Sequence, residues 1–77
     1  MDLNKIVANL KNDFNCAFIS TMNYNGKNFA KAIETTEKGF RYRYFKILEN
    51  DKLEEITDEE TLKFFRQMNE NTDINNY

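Results

Sequence analysis

The chain of 77 residues contains no histidine, one cysteine and two glycines. Each scarcity excludes something. Without histidine, and with Cys16 alone, a Cys/His zinc site cannot be assembled. No disulfide can form within the chain, and extracellular domains of this size usually need such staples. That points to a reducing, cytoplasmic setting. No apolar run approaches the roughly 20 residues that a membrane helix requires. The first residues alternate polar and apolar rather than forming the apolar stretch of a signal peptide. The expectation is therefore a protein without membrane association.

The length allows one domain. A chain this short buries only about 60–65% of its unfolded surface, so its stability margin is thin. The formal charge of −2 hides an asymmetry. Residues 1–48 carry eight Lys/Arg against four Asp/Glu, and residues 49–77 carry three against nine. Two ordinary solvated faces account for this. The functional alternative is a basic sheet surface or an acidic helix surface that meets a charged partner.

Hydrophobic periodicity divides the chain. Leu3, Ile6, Val7 and Leu10 form one stripe at the helical period, with Asp2 as N-cap, so 2–12 reads as a helix. Phe14, Cys16, Phe18 and Met22 then alternate with smaller or polar residues, which is the pattern of a strand. Asn25-Gly26 is a strong two-residue hairpin signal, because a type I′ turn needs positive φ at both central positions. It would pair Met22 with Phe29, Ser20 with Lys31 and Phe18 with Ile33. A second tight loop at Lys38-Gly39 would pair Ile33 with Tyr44, Thr35 with Tyr42 and Glu34 with Arg43. The third strand then runs over 40–49. Asn50-Asp51 is a third turn, returning a short strand over 52–56 with Leu53 opposite Leu48 and Glu55 opposite Lys46. Thr57 and Glu60 form a capping box for a second helix, which runs to about Asn69. Residues 71–77 read as a frayed tail.

The expected fold is α+β: an antiparallel β-meander of three to four strands, flanked by an N-terminal and a C-terminal helix, in a single domain over 1–70. One sheet face would carry Phe14, Phe18, Met22, Phe29, Ile33, Tyr42, Tyr44 and Leu48, and both helices should cover it. Ile19, Ala30, Ala32, Phe45 and Ile47 would lie on the other face, and if both helices pack on the first face they leave a small apolar patch in solvent.

The order of motifs over residues 24–65 resembles the YrzB-like family of small uncharacterised Gram-positive proteins. The matching features are Tyr24-Asn25-Gly26-Lys27 with Phe29, the aromatic strand Phe40 to Phe45, Leu53-Glu54-Glu55-Ile56, and Asp58-Glu59-Glu60 before Phe64 and Phe65. That resemblance implies architecture and no activity. Size, acidity and order of elements are also similar to small anti-CRISPR proteins of phages. Some of these have a helix, a three-stranded meander and a further helix, and one opens with a short Asn/Asp-capped helix similar to residues 2–12.

Candidate chemistry is sparse. The segment Lys38-Gly39-Phe40-Arg41-Tyr42-Arg43-Tyr44-Phe45 resembles the central motif of RNA-recognition domains. That fold needs a helix where this chain has a hairpin, so the fold itself is excluded. Lys31, Arg41, Arg43 and Lys46 beside aromatics remain a candidate surface for single-stranded nucleic acid. Packed tyrosines and solvated arginines are the plainer account. Cys16 lacks a histidine to activate it and lies on the expected core face, so it reads as structural. Asn25-Gly26 lacks the repeated glycines of a phosphate loop. Asp58, Glu59 and Glu60 suit the positive end of a helix better than a catalytic pocket. No catalytic residue, metal ligand or cofactor is expected. The most concentrated candidate is acidic: Glu49, Asp51, Glu54, Glu55, Asp58, Glu59 and Glu60, a surface that could meet a larger protein partner. The expectation is a non-enzymatic protein-binding module, of the phage or mobile-element inhibitor kind or a small regulator. A homodimer through the exposed sheet face or an edge strand is a further possibility.

Overall fold

The structure, a computed structural model, describes residues 1–75, with side chains described through Met68. The first helix, α1 (Leu3–Phe14), starts where the sequence places it: the Asp2 carboxylate accepts the Asn4 N–H at 3.0 Å. It continues past the expected end near residue 12 and takes in Phe14, which read as a strand residue. Asn15 then adopts φ 55° and ψ 41°, the left-handed conformation that asparagine tolerates, and the Cys16 N–H donates back to the Leu10 carbonyl at 2.9 Å.

Four strands follow in meander order: β1 (Ala17–Tyr24), β2 (Lys27–Thr36), β3 (Gly39–Ile47) and β4 (Leu53–Glu55). A 3₁₀ turn at Glu49–Asp51 joins the last two, and α2 (Glu59–Asn75) closes the described chain. The α+β class, the antiparallel meander and the flanking helices are as the sequence suggests. Among the described residues no helix is long and apolar enough to cross a membrane.

The three turns behave differently. Asn25 (φ 52°) and Gly26 (φ 75°) form the expected two-residue loop, and Met22–Phe29 and Ser20–Lys31 pair as anticipated. The Phe18–Ile33 pair does not form. A bulge between Phe18 and Ser20 inserts Ile19, so Phe18 opposes Ala32 and Ala17 opposes Ile33. The second turn is centred on Glu37 and Lys38, with Gly39 at φ 130° pairing Thr36. Ile33 therefore opposes Tyr42, and Glu34 opposes Arg41, instead of Tyr44 and Arg43. That two-residue shift leaves every side chain on its expected face. The third connection is longer than a tight turn, because the Leu48 N–H closes it onto the Lys52 carbonyl at 2.7 Å. Lys46 consequently opposes Glu54, and Phe45 opposes Glu55. This one-residue shift reverses the faces of Glu54 and Glu55.

The expectation that both helices share one face is overturned. α1 packs on the face of Ala30, Ala32 and Phe45, burying Ile6, Leu10 and Cys16 there with Phe14, Phe18, Ile47 and Leu53 around them. The two alanines let the helix come close, and Phe14 meets Phe45 edge-on at 4.7 Å. α2 packs on the opposite face, where Phe65 stacks on Tyr44 (5.3 Å, 11° between planes) and meets Phe29 at 5.0 Å. Met22, Ile56, Leu62 and Met68 complete that second cluster. Asp58, not Thr57, caps α2. The helix continues beyond the expected end near Asn69. The tail expected over 71–77 thus falls partly within it, and residues 76 and 77 lie outside the described residues.

Two small cores share one sheet, so each should be indispensable. Ile6→Ala opens one and Phe65→Ala the other, and each is expected to cost about 2–5 kcal/mol. That approaches the total of about 5 kcal/mol or slightly more available to a domain of this size. Urea denaturation followed by circular dichroism checks it, with both variants expected to be mostly unfolded or to have sharply lowered midpoints.

Candidate functional site

The acidic set does not form one surface. Glu55 points to the α1 side and is taken up by Arg43. The guanidinium Nε donates to one carboxylate oxygen at 2.7 Å and Nη2 donates to the other, a two-point contact. Arg43 Nη1 also donates to Glu34 at 3.3 Å and to the Phe14 carbonyl at 3.1 Å. Glu34 in turn accepts Arg41 Nε at 2.5 Å. With its side chain 14% exposed, Arg43 is a largely buried hub joining β2, β3, β4 and the end of α1. The hydrogen bonds from Arg43 hold the Glu55 carboxyl below its usual range, and the same contacts raise the Arg43 guanidinium above its own.

Of the remaining acidic residues, Glu49, Glu54, Asp58, Glu59 and Glu60 are exposed and Asp51 is half-buried. Glu54 lies on the α2 side beside its cross-strand neighbour Lys46. Asp58 accepts the Thr61 N–H at 2.9 Å and the Thr61 hydroxyl at 2.7 Å, and these bonds hold its pKa down. Glu59 reaches Arg66 at 3.8 Å in full solvent, a contact of little energetic weight. Glu49 is exposed on the 3₁₀ turn; the Asp51 carbonyl accepts Asn9 Nδ2 at 3.4 Å.

Asp58 and Glu60 border a depression of about 330 Å³ whose other lining residues are Tyr24, Phe29, Thr61, Phe64 and Phe65. Tyr24 is 44% and Phe64 38% exposed, and their rings meet at 5.1 Å. Periodicity places Phe64 only beside the α2 stripe, and Tyr24 next to the first turn. Nothing in the sequence brings the two together, because the meeting depends on which face α2 covers. An adjoining groove contains Glu54 and Asp58 with Lys27 and Lys46.

The basic set is split in the same way. Lys31 sits over the Tyr42 ring at 4.3 Å on the α2 side, a cation–π contact. Arg41 and Arg43 lie on the α1 side, each bound by glutamate, and Lys46 faces Glu54. The four cations form no continuous track for a phosphate backbone.

Cys16 is buried, as expected. Its thiol donates to the Phe14 carbonyl at 3.3 Å, and burial raises its pKa despite the nearby Arg43. Among the described residues no group of three His, Cys, Asp or Glu side chains is placed to hold a metal ion. Searches of protein-family models, curated proteins and solved structures find no match to this chain.

Glu55→Gln tests the hub. At neutral pH the substitution weakens a charged, largely buried contact, at a cost of about 2 kcal/mol. Because Glu55 has a lower pKa in the fold than in the unfolded chain, its contribution is full above the ordinary glutamate value of about 4.3. It disappears as pH falls through the folded value. The stability gap between wild type and Glu55→Gln is therefore expected to narrow steadily in acid, and urea midpoints measured down through the carboxylate range check this.

Proposed function

We propose that the protein is a non-enzymatic binding module that docks on a larger protein partner through the start of α2. The observation that supports this most is the exposed Tyr24–Phe64 pair, set in a depression rimmed by Asp58 and Glu60. Aromatic rings that are half exposed and held by a packed core offer contact area at little entropic cost. Outward carboxylates around them favour a partner with a basic surface and raise its association rate. Glu54 extends that rim through the adjoining groove, whereas Glu59 lines a separate depression with Leu62 and Arg66. Glu55 does not belong to the rim, since its carboxylate is committed to Arg43. An inhibitor or a small regulator, acting by occupying a basic site on a larger protein, is the kind of molecule this reading describes.

Two variants separate the contributions. Tyr24→Ala/Phe64→Ala removes the aromatic pair, and Glu54→Lys/Glu60→Lys reverses the rim. A partner recovered by affinity capture from host lysate and then purified is expected to bind each variant at least tenfold more weakly, a loss of about 1.4 kcal/mol or more. Its association rate with the unmodified chain should fall as salt is raised. Undiminished affinity of both variants for that partner would remove this surface from consideration.

A further inference from the structure

The sheet is left open along one edge of β3. β4 pairs only with Phe45, Lys46 and Ile47, and the Ile56 N–H closes this pairing on the Tyr44 carbonyl at 2.9 Å. The chain then turns away into α2. Residues 40–43 have β2 on one side and, among the described residues, no strand on the other. The direction of the free backbone groups follows from alternation along an antiparallel strand. Tyr44 presents its carbonyl to the β4 side, so Tyr42 and Phe40, two and four positions back, aim both N–H and C=O out of the same edge. Their rings are exposed as well, 63% for Phe40 and 47% for Tyr42, and they touch each other edge-on at 5.7 Å. An unpaired edge that also carries exposed aromatics is a template for another strand.

We propose that this edge pairs with the same edge of a second copy of the chain, antiparallel, about a twofold axis at Arg41. The two four-stranded sheets then become one continuous sheet. This register places Phe40 opposite Tyr42 of the second copy, and Tyr42 opposite its Phe40. All the outward N–H and C=O groups of the four residues are satisfied, and the four rings form one row on one face.

On the other face Arg41 meets Arg41 of the second copy. Each is already bound by its own Glu34 at 2.5 Å, so the four charges cancel across the axis. Arg43 meets Gly39, the first strand residue after the turn, and the second strand must turn away there because Ile56 fills the place opposite Tyr44. The neighbouring registers are worse. An axis at Tyr42 needs the outward groups of Tyr44, which Ile56 already uses, and an axis at Phe40 sets the turn residue Lys38 against Tyr42. The self-complementarity of two outward aromatic positions and a neutral charge quartet is what selects a second copy as the occupant. This edge lies at the far end of the sheet from Tyr24 and Phe64, and the proposal stands whether or not that surface binds a partner.

A junction this short buries less than the roughly 1,200 Å² of a standard stable interface, so association is concentration-dependent. Sedimentation equilibrium from about 10 µM to about 1 mM is expected to show the mass rising from that of the monomer toward the dimer. Amide hydrogen exchange across the same range localises the contact: the Phe40 and Tyr42 amides should exchange quickly when dilute and slow at least tenfold when concentrated. Tyr42→Pro removes one outward N–H without touching the β2 ladder, and Phe40→Lys places a cation on the shared ring row. Either should weaken association tenfold or more. A mass that does not change with concentration, or a dimer whose Phe40 and Tyr42 amides gain no protection, would overturn the proposal. So would a dimer that both variants leave intact.

Discussion

Tyr44 and Phe45 are neighbours in one strand, so their side chains leave opposite faces of the sheet, and both are almost completely out of solvent. Everything else in the molecule is arranged around that constraint. A half-exposed antiparallel sheet needs cover on one face only, but two adjacent large aromatics in a central strand require cover on both. The chain has two helices, and it uses one per face. α1 arrives over the alanines opposite Phe45, and α2 arrives over Tyr44 with Phe65 stacked on it. Each helix alone would be marginal in water, and each is held by the half-core it completes.

How much of this is legible in the sequence depends on whether an error is even or odd. The helix stripe of α1, its Asp2 cap and the Asn25-Gly26 turn are local signals, and local chemistry decides them. Placing the second turn at Lys38-Gly39 rather than Glu37-Lys38 moves the pairing by two residues, so each side chain stays on its own face. The third turn moves the pairing by one. Glu55 then joins the α1 face, where it finds Arg43, and Glu54 stays exposed on the α2 side opposite Lys46. The Ile19 bulge has the same effect on β1. Phe18 and Met22 read as one alternating run, yet the inserted residue sends Phe18 to α1 and Met22 to α2. No glycine or other marker announces that bulge. It answers a tertiary requirement, since β1 must supply apolar residues to both half-cores.

The candidate site shows the same limit. The acidic composition of 49–60 is plain from the sequence, but its distribution over two faces is set by the register of a three-residue strand. The Tyr24–Phe64 pair is invisible for a related reason: it forms only because α2 lies on the Phe29 face. Charge counts identify the segment that can carry a surface. They do not say which of its carboxylates are already committed within the fold.

Arg43 is the clearest example of that commitment. Its place among strand aromatics makes it look like a ligand for phosphate, yet it is the residue that fastens α1 to the sheet. The last carbonyls of a helix have no partner within the helix. Phe14 supplies one of them, and Arg43 donates to it from below while holding Glu55 and Glu34. A partly buried ion pair of this kind is not a strong source of net stability, because desolvation offsets much of the attraction. Its geometry is demanding instead. The guanidinium can satisfy β2, β4 and the helix end together only if β4 is in its observed register and α1 ends at Phe14. Any slip that leaves the hydrophobic count unchanged would strand a largely buried charge. In a chain with so little apolar surface to discriminate between alignments, that penalty supplies specificity that the two small cores do not.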